Sequence, residues 1–375
     1  MEKLKPMEAV AALYAADQAD LSEAIVASLS RAIFHEPKAS PACGKKLFIG
    51  KISQNLARWT TRSAPSKNAA GADVTLFSNR LFKRSGHPYA EALLTPSQQD
   101  SAALVEGGDP MNGPYMMLSP ELRKNGGLWD RIFLDSVQGK DVQVRFLHET
   151  QATYQAARRV LDRGAPVRIK SVAAGTGLSL ILVYDKLIRE GIDPSFITAI
   201  ITDRDPVNAV KSNHLLDKLA GTRENRFTLE KGHGISAVPE DLFECLAGSD
   251  AAHPFDIVTA IGILEYFQGT SHGTTEKRMM LHEPDEPLTA PDLAARLGAM
   301  TADGGHLIIN TYRDHGAVRI LELFGKRFDF RDRGHLRDLL APFHFHPFHL
   351  AGSGHIYDVE VFEKRVPPAA ELNAG

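Results

Sequence analysis

The sequence predicts an α/β fold in which helices cover a mostly parallel sheet that ends in an antiparallel hairpin. The first observation is a strand pattern over residues 167–173 that runs through a glycine turn into an apolar helix over residues 180–189. The second is the alternation of further apolar strands with helical patterns after it. The third is a pair of strand patterns near the end, over residues 343–350 and 356–364, joined by a small-residue turn.

Residues 1–140 are predicted to form a mainly helical cap or lid over this fold. Apolar residues at helical spacing predict helices over residues 5–17 and 20–34, and Asp20 is a candidate N-cap for the second. A helix that lies on a membrane surface or against a partner is the alternative interpretation. Helices of this kind more often pack on their own domain, and that is the arrangement we expect.

A basic segment follows between Lys45 and Arg84. It holds nine lysine and arginine residues against the single acid Asp73, a local excess of eight positive charges, with Trp59, Phe77 and Phe82 interleaved. Such a segment is suited to an acidic substrate or to single-stranded nucleic acid. A solvated basic face that balances acidic surface elsewhere is the alternative.

The next part of the chain changes from loops to helices. Residues 86–127 are rich in glycine, proline, asparagine and serine, which predicts loops lying over the domain. Helical patterns follow over residues 128–134 and 142–161. The second of these helices leads directly into the first strand.

The turn that carries Gly175 and Gly177 has the composition of a nucleotide cradle. Glycine lets the backbone approach a ligand closely, and the N-terminus of the following helix offers N–H donors. The next strand, over residues 196–202, is followed by Asp203, 26 positions after Gly177. Ligands bind beyond the carboxyl ends of the strands in open parallel sheets, so Asp203 is placed to accept hydrogen bonds from both hydroxyl groups of a ribose.

The glycine pattern argues against a nicotinamide cofactor, because a G-x-G-x-x-G motif starting at Gly175 would need glycine where Leu180 stands. It resembles instead the first motif of class I S-adenosylmethionine-dependent methyltransferases, and the resemblance covers about residues 142–365. It implies a Rossmann-like sheet of seven mostly parallel strands and S-adenosylmethionine as the cofactor. Ser171 and Ala173 depart from the family pattern, which has an acid and a glycine there. The carboxylate that normally helps to hold the cofactor's amino group is therefore absent or supplied elsewhere.

The resemblance also implies a set of cofactor-binding residues. The glycine turn faces the amino-acid end of the cofactor, and the end of the third strand, predicted over residues 226–231, lies beside the adenine. The helix before the first strand covers the cofactor, so its Arg145 or Tyr154 is a candidate for the cofactor carboxylate, although both also fit surface or packing roles. The implied residues are Ala173, Ala174, Gly175, Gly177, Asp203, Arg204, Gly232, His233, Ile261, Gly262, Arg145 and Tyr154.

The fourth strand, predicted over residues 255–261, is expected to lie beside the transferred methyl group. In the family that this chain resembles, the turn after the fourth strand occupies that position, and here Gly262 would keep the space open. Glu265 and Tyr266 follow and are candidates to face the methyl acceptor. The alternative is an ordinary helix start with an exposed acid, Glu265, and two core aromatics, Tyr266 and Phe267.

The fifth strand gives further candidates for the acceptor side. A helix over residues 292–300, an Asp-Gly-Gly turn and an apolar strand over residues 307–312 follow the usual order of the family. Tyr312 ends this strand and His315 lies just beyond it. Histidine is the usual general base near neutral pH.

Three histidines near the C-terminal hairpin raise the question of a metal site. A helix over residues 336–341 precedes them. His344 and His346 would share one face of a strand while His349 would not, and Pro347 interrupts the run. No acidic ligand follows at a recognisable spacing, so we expect no metal.

The composition narrows the compartment and the partners. The 375 residues are 43% hydrophobic and 24% charged, and a net charge of −3 gives no general attraction to nucleic acid or anionic membrane. The two cysteines exclude a disulfide framework, and no apolar run reaches membrane-spanning length, so we expect a cytoplasmic protein. The expected partner is a small-molecule substrate, with no nucleic acid and no membrane, and a homodimer is compatible with the sequence.

The sequence therefore predicts methyl transfer from S-adenosylmethionine to a small molecule, with anionic metabolites as candidates because of the basic segment. The Asp/Asn-Pro-Pro-aromatic signature of nucleic-acid amino methylation is missing after the fourth strand. A non-catalytic binding or scaffold protein of the same fold is the alternative, supported by Ser171. A nicotinamide-dependent oxidoreductase is disfavoured by the missing third glycine. The predicted division is a cap over residues 1–140, a cofactor-binding domain over 141–366 and a tail over 367–375.

Overall fold

The computed structural model describes residues 137–175, 177–203, 208–209, 212–213, 216, 234–240, 253–267, 289–315 and 329–366. In these ranges the α-helices are α1 (Val137–Leu161), α2 (Leu178–Arg189), α3 (Ala290–Met300) and α4 (Arg333–Leu340). The strands are β1 (Val167–Ser171), β2 (Ile197–Asp203), β3 (Gly234–Pro239), β4 (Phe255–Ala260), β5 (Thr301–Asn310), β6 (Phe345–Ser353) and β7 (Asp358–Lys364). The helices predicted over residues 5–17, 20–34 and 128–134, and the basic segment, lie outside the described residues.

The described strands form one seven-stranded sheet in the order β3-β2-β1-β4-β5-β7-β6. Strands β1 to β5 are parallel to one another, and β7 is antiparallel to both β5 and β6. The predicted mostly parallel sheet with a C-terminal hairpin is therefore confirmed. The order along the sheet reverses between β1 and β4, and in open α/β sheets ligands bind in the crevice at such a reversal.

Helices cover both faces of this sheet in the described part of the chain. The core on one face is formed with α1 and α2, and the core on the other face with α3 and α4. Strands that are buried on both faces read as nearly continuous apolar runs. This explains why β1, β2 and β4 were recognisable from the sequence. No helix in the described ranges is both long and apolar enough to cross a membrane.

The predicted position of the third strand is wrong. It was expected over residues 226–231, which lie outside the described residues, whereas β3 begins at Gly234, paired with Thr198 near the start of β2. The carboxyl end of β3 is therefore Pro239, and the reason for placing Gly232 and His233 beside the adenine fails. Those two residues themselves lie outside the described ranges.

Three smaller differences concern element ends. The predicted Asp-Gly-Gly turn lies inside β5, where the register against β4 shifts, and a Cβ at Gly305 would lie 2.9 Å from the carbonyl oxygen of Asp256. Helix α3 begins earlier than predicted because Thr289 and Asp292 form a capping box. Helix α1 begins at Val137, so the predicted boundary at residue 140/141 falls within it. The division into cap, domain and tail stays a prediction.

Helix α1 is fixed to the hairpin turn between β6 and β7 by a buried acid. The carboxylate of Asp141 accepts hydrogen bonds from the backbone N–H groups of His355, Ile356 and Tyr357 at 2.5–3.1 Å. Three such contacts satisfy backbone donors that would otherwise be costly to bury. The hairpin thus orients the helix that leads into β1, and with it the residues that α1 carries towards the carboxyl ends of the strands.

Candidate cofactor and acceptor site

The turn after β1 has the backbone conformation that its glycines favour. Gly175 and Gly177 both have φ of 58°, and Gly177 is the N-cap of α2, where it has no side chain to occupy the helix N-terminus. Ala173 also has a positive φ, of 49°, at the position where the family has glycine. This conformation is sterically unfavourable for alanine. The turn therefore keeps a glycine-like path in spite of the substitution.

Asp203 is brought against this turn at the end of β2. Its Oδ2 atom accepts a hydrogen bond from the backbone N–H of Gly175 at 2.8 Å, and its Oδ1 atom accepts one from the side chain of Asn208 at 3.1 Å. The backbone N–H of Ala174 also donates to the carbonyl oxygen of Thr202 at 3.0 Å. The predicted glycine turn and the predicted acid thus lie in direct contact.

At the end of β1, Ser171 offers no charge to a ligand. Its hydroxyl oxygen accepts a hydrogen bond from the hydroxyl of Thr259 on β4 at 2.8 Å, and both side chains are buried. A neutral group that is hydrogen-bonded within the sheet therefore stands where the resemblance implied an acid.

The turn after β4 brings Arg145 and Glu265 together. The guanidinium of Arg145 lies 3.6 Å from the carboxylate of buried Glu265 and 4.5 Å from the ring centre of Tyr357. A Cβ at Gly262 would lie 3.1 Å from the Arg145 guanidinium, and the backbone N–H of Gly262 donates to Asn310 Oδ1 at 2.7 Å. The alternative of an exposed acid at residue 265 is therefore wrong.

The turn after β4 is surrounded by buried charged side chains. Burial raises the pKa of Glu265, and the positive charge of Arg145 acts in the opposite direction. Arg331 fixes the short helix that carries Glu265, because its guanidinium donates to the carbonyl oxygens of Leu264 and Phe267 at 2.9 and 2.6 Å. Neither Arg331 nor Asn310 was predicted to lie here.

A second buried acid, Glu149 on α1, was also not predicted. The hydroxyl of Ser179, in the first turn of α2, donates to Glu149 Oε1 at 2.7 Å. Burial raises the pKa of Glu149 to about 7, while this hydrogen bond and the charge of Arg145 act in the opposite direction. The available signal was the spacing: Arg145 and Glu149 are four positions apart and share one face of the helix.

The raised pKa predicts that Glu149 makes stability fall as the pH rises. The unfolded chain releases this proton near the ordinary value of 4.5, whereas the folded chain keeps it up to about pH 7. The contribution is therefore fully present below pH 4.5 and is lost between 4.5 and about 7, by up to about 1.4 kcal/mol per pH unit. Glu149→Gln should remove it. Urea unfolding at pH 5, 6 and 7 measures the difference between wild type and variant; a constant difference would contradict the assignment.

Tyr154 does not lie in the site, and its predicted role is corrected. Its hydroxyl donates to Glu190 Oε1 at 2.6 Å, at the C-terminal end of α2. The glycine turn adjoins the other end of this 12-residue helix, about 18 Å away at the rise of an α-helix. Tyr154 packs α1 against α2 and is too far from the turn to reach a ligand there.

The two candidates after β5 contact different residues of the hairpin turn, and Tyr312 contacts the Tyr357 ring over which the Arg145 guanidinium lies. Tyr312 is buried, stacks on Phe330 with ring centres 5.6 Å apart and tilts against Tyr357 at 5.1 Å. His315 is half-buried, 6.3 Å from the ring of His355, and burial lowers its pKa. Tyr312 thus has a packing role between Phe330 and Tyr357, and no substrate contact follows for either residue from these positions.

The remaining predicted residues are placed as follows. Ile261 is half-buried against the core beside Gly262. Arg204, Gly232 and His233, and the side chain of Tyr266, lie outside what the structure describes. Within the described ranges no group of three or more histidine, cysteine, aspartate or glutamate side chains could hold a metal ion. The expectation that His349 faces away from His346 is wrong. A bulge between Pro347 and His349 pairs His346 with Glu363 and His349 with Val361, and the two partners lie on one face of β7.

Comparisons with known proteins gave matches among solved structures. No protein-family model and no curated protein matches the chain. Among solved structures, a possible exported protein from Bordetella parapertussis has 13% identity and a TM-score of 0.46 over 81% of this chain and 99% of its own. Magnesium protoporphyrin IX methyltransferase from Synechocystis, with bound S-adenosylhomocysteine, has 13% identity and a TM-score of 0.38 over 62% and 91%. The N-methyltransferase NodS from Bradyrhizobium japonicum has 14% identity and a TM-score of 0.35 over 58% and 87%. A likeness of this degree concerns the fold alone.

Proposed function

We propose that the chain binds S-adenosylmethionine and catalyses methyl transfer to a small-molecule acceptor. The observation that carries this proposal is the contact between the glycine turn and Asp203, through Gly175, next to the crevice between β1 and β4 where the strand order reverses. A backbone turn with positive φ at a helix N-terminus and an acid at the end of the next strand fit an adenosine ligand with a charged tail.

Different described residues would bind different parts of the ligand. Asp203 would accept hydrogen bonds from the ribose hydroxyl groups, and the turn that ends at Gly177 would approach the amino-acid end. When bound, S-adenosylmethionine supplies a methyl group on a positively charged sulfur, which is already activated for transfer. The protein is left with alignment, exclusion of water and, for a hydroxyl or amine acceptor, removal of a proton.

We place the acceptor beside Gly262, where a larger side chain would meet the Arg145 guanidinium. Glu265 is the candidate proton acceptor, because it is buried in the turn that follows Gly262 and its raised pKa brings it nearer to neutral pH. Arg145 would keep it oriented and could also meet an anionic acceptor. Anionic metabolites are therefore the class to test first, and the reducing cytoplasm is the compartment that the two cysteines favour.

A non-catalytic cofactor-binding protein is the second candidate, because Ser171 leaves β1 without a carboxylate. Turnover separates the two. The purified protein is incubated with methyl-labelled S-adenosylmethionine and a panel of small carboxylates, phosphates, phenols and amines, and formation of S-adenosylhomocysteine is measured. Acceptor-dependent product that disappears in Asp203→Ala supports the enzyme. Saturable cofactor binding with no product from any acceptor would favour the non-catalytic protein.

A further inference from the structure

We infer that Glu149 supplies the carboxylate that binds the amino group of the cofactor, in place of the acid that is missing from β1. This inference rests on the proposed function, since it assigns one residue to one group of the cofactor. It makes Glu149 a binding residue on a helix, α1, that precedes the whole glycine motif in the chain.

The position of Glu149 fits the amino-acid end of the cofactor. Ser179, which donates to its carboxylate at 2.7 Å, is only two residues after Gly177, in the first turn of α2. Glu149 therefore lies beside the part of the turn that would face the amino-acid tail. Asp203, which lies against Gly175 at the other end of the turn, is left for the ribose.

The residue that would otherwise take this role is already engaged. The hydroxyl of Ser171 on β1 accepts a hydrogen bond from the hydroxyl of Thr259 on the neighbouring strand β4. It carries no charge that could balance an ammonium group. In a buried site an ammonium group needs a charged or strongly hydrogen-bonded partner. Among the described residues at this turn, Glu149 and Asp203 are the acids whose contacts place them on it.

The electrostatics of Glu149 also indicate a ligand. A buried carboxylate is costly unless a cation balances it. Arg145, one helical turn earlier, already faces Glu265 at 3.6 Å. Arg145 and Ser179 compensate the charge of Glu149 only in part, because burial raises its pKa more than these two residues lower it. An ammonium group of the ligand would balance the charge of the Glu149 carboxylate between α1 and α2.

The test compares three ligands by calorimetry on the full chain: S-adenosylhomocysteine, its analogue with hydrogen in place of the α-amino group, and methylthioadenosine, which lacks the amino-acid tail. Glu149→Gln keeps the shape of the side chain and the hydrogen bond from Ser179 but removes the charge. We expect it to weaken S-adenosylhomocysteine roughly 10- to 100-fold and to leave the deaminated analogue and methylthioadenosine within about 2-fold of wild type. Asp162→Asn, an exposed acid on the same region of chain, is the matched control and should change none of the three affinities.

The outcomes are distinct. If wild type binds all three ligands and Glu149→Gln binds S-adenosylhomocysteine equally well, the inference is wrong while the proposed function stands. Equal weakening of all three ligands would also overturn it, because Glu149 would then support the pocket and not the amino group. If wild type binds none of them, the proposed function itself fails.

Discussion

Replacing Gly177 with alanine is expected to destabilise the protein by about 2–5 kcal/mol. The residue has φ of 58°, which costs an alanine about 1–2 kcal/mol. Its added Cβ would lie 2.4 Å from Cγ2 of Ile201, a β-branched side chain that is buried in the core. Relief of that contact requires displacement of packed atoms, at a further cost of about 1–3 kcal/mol. The free energy of unfolding in urea measures the sum.

Gly164→Ala is the matched control for this prediction. Gly164 also has a positive φ, of 75°, but an added Cβ there has no atom within 4 Å among the described residues. The control should therefore show only the backbone cost, about 1–2 kcal/mol. Equal destabilisation by the two substitutions would show that the turn does not press against β2 as the structure describes.

Replacing Asp203 with alanine is expected to weaken S-adenosylhomocysteine and methylthioadenosine alike, by roughly 100-fold or more, because both carry the ribose. Two hydrogen bonds to a charged acceptor, and the contact that holds the Gly175 N–H at 2.8 Å, are lost together. Asp203→Asn keeps an acceptor for Gly175 and should weaken binding less, roughly 10-fold. Calorimetric titration measures both.

The control for Asp203 is another acid whose carboxylate accepts a hydrogen bond from a backbone N–H group. Asp256, near the amino end of β4, accepts a hydrogen bond from the backbone N–H of Arg168 at 2.8 Å. Asp256→Ala therefore removes a similar contact without touching the proposed ribose position. We expect cofactor affinity within about 2-fold of wild type. A loss as large as that of Asp203→Ala would mean that general loosening of the sheet, and not a ribose contact, explains both variants.

The parts of the site that the sequence predicted are those encoded by short spacing. Gly175 and Gly177 belong to one turn between two recognisable elements, and Asp203 is found by following the next apolar run to its end. Each follows from local pattern and from the rule that the carboxyl ends of parallel strands meet at one edge. The hairpin was predictable for the same reason, because its two strands are neighbours in the chain.

The parts that the sequence missed depend on contacts between distant positions. Glu149 meets Ser179 across 30 positions, Gly262 meets Asn310 across 48 and Arg331 meets Leu264 across 67. No local pattern encodes such pairs, since they arise only when α1 and β5 are placed on the sheet. Tyr154 was misplaced because helical spacing gives the face of a residue but not its distance along the neighbouring helix.

The measurement that tests the central claim most directly is calorimetric titration of the purified full chain with S-adenosylmethionine, S-adenosylhomocysteine and NADH in separate runs. The proposed function predicts saturable binding of the first two ligands and none of NADH, with the binding lost or strongly weakened in Asp203→Ala. Binding of NADH alone, or equal affinity in wild type and Asp203→Ala, would contradict the placement of an adenosylmethionine site at the glycine turn.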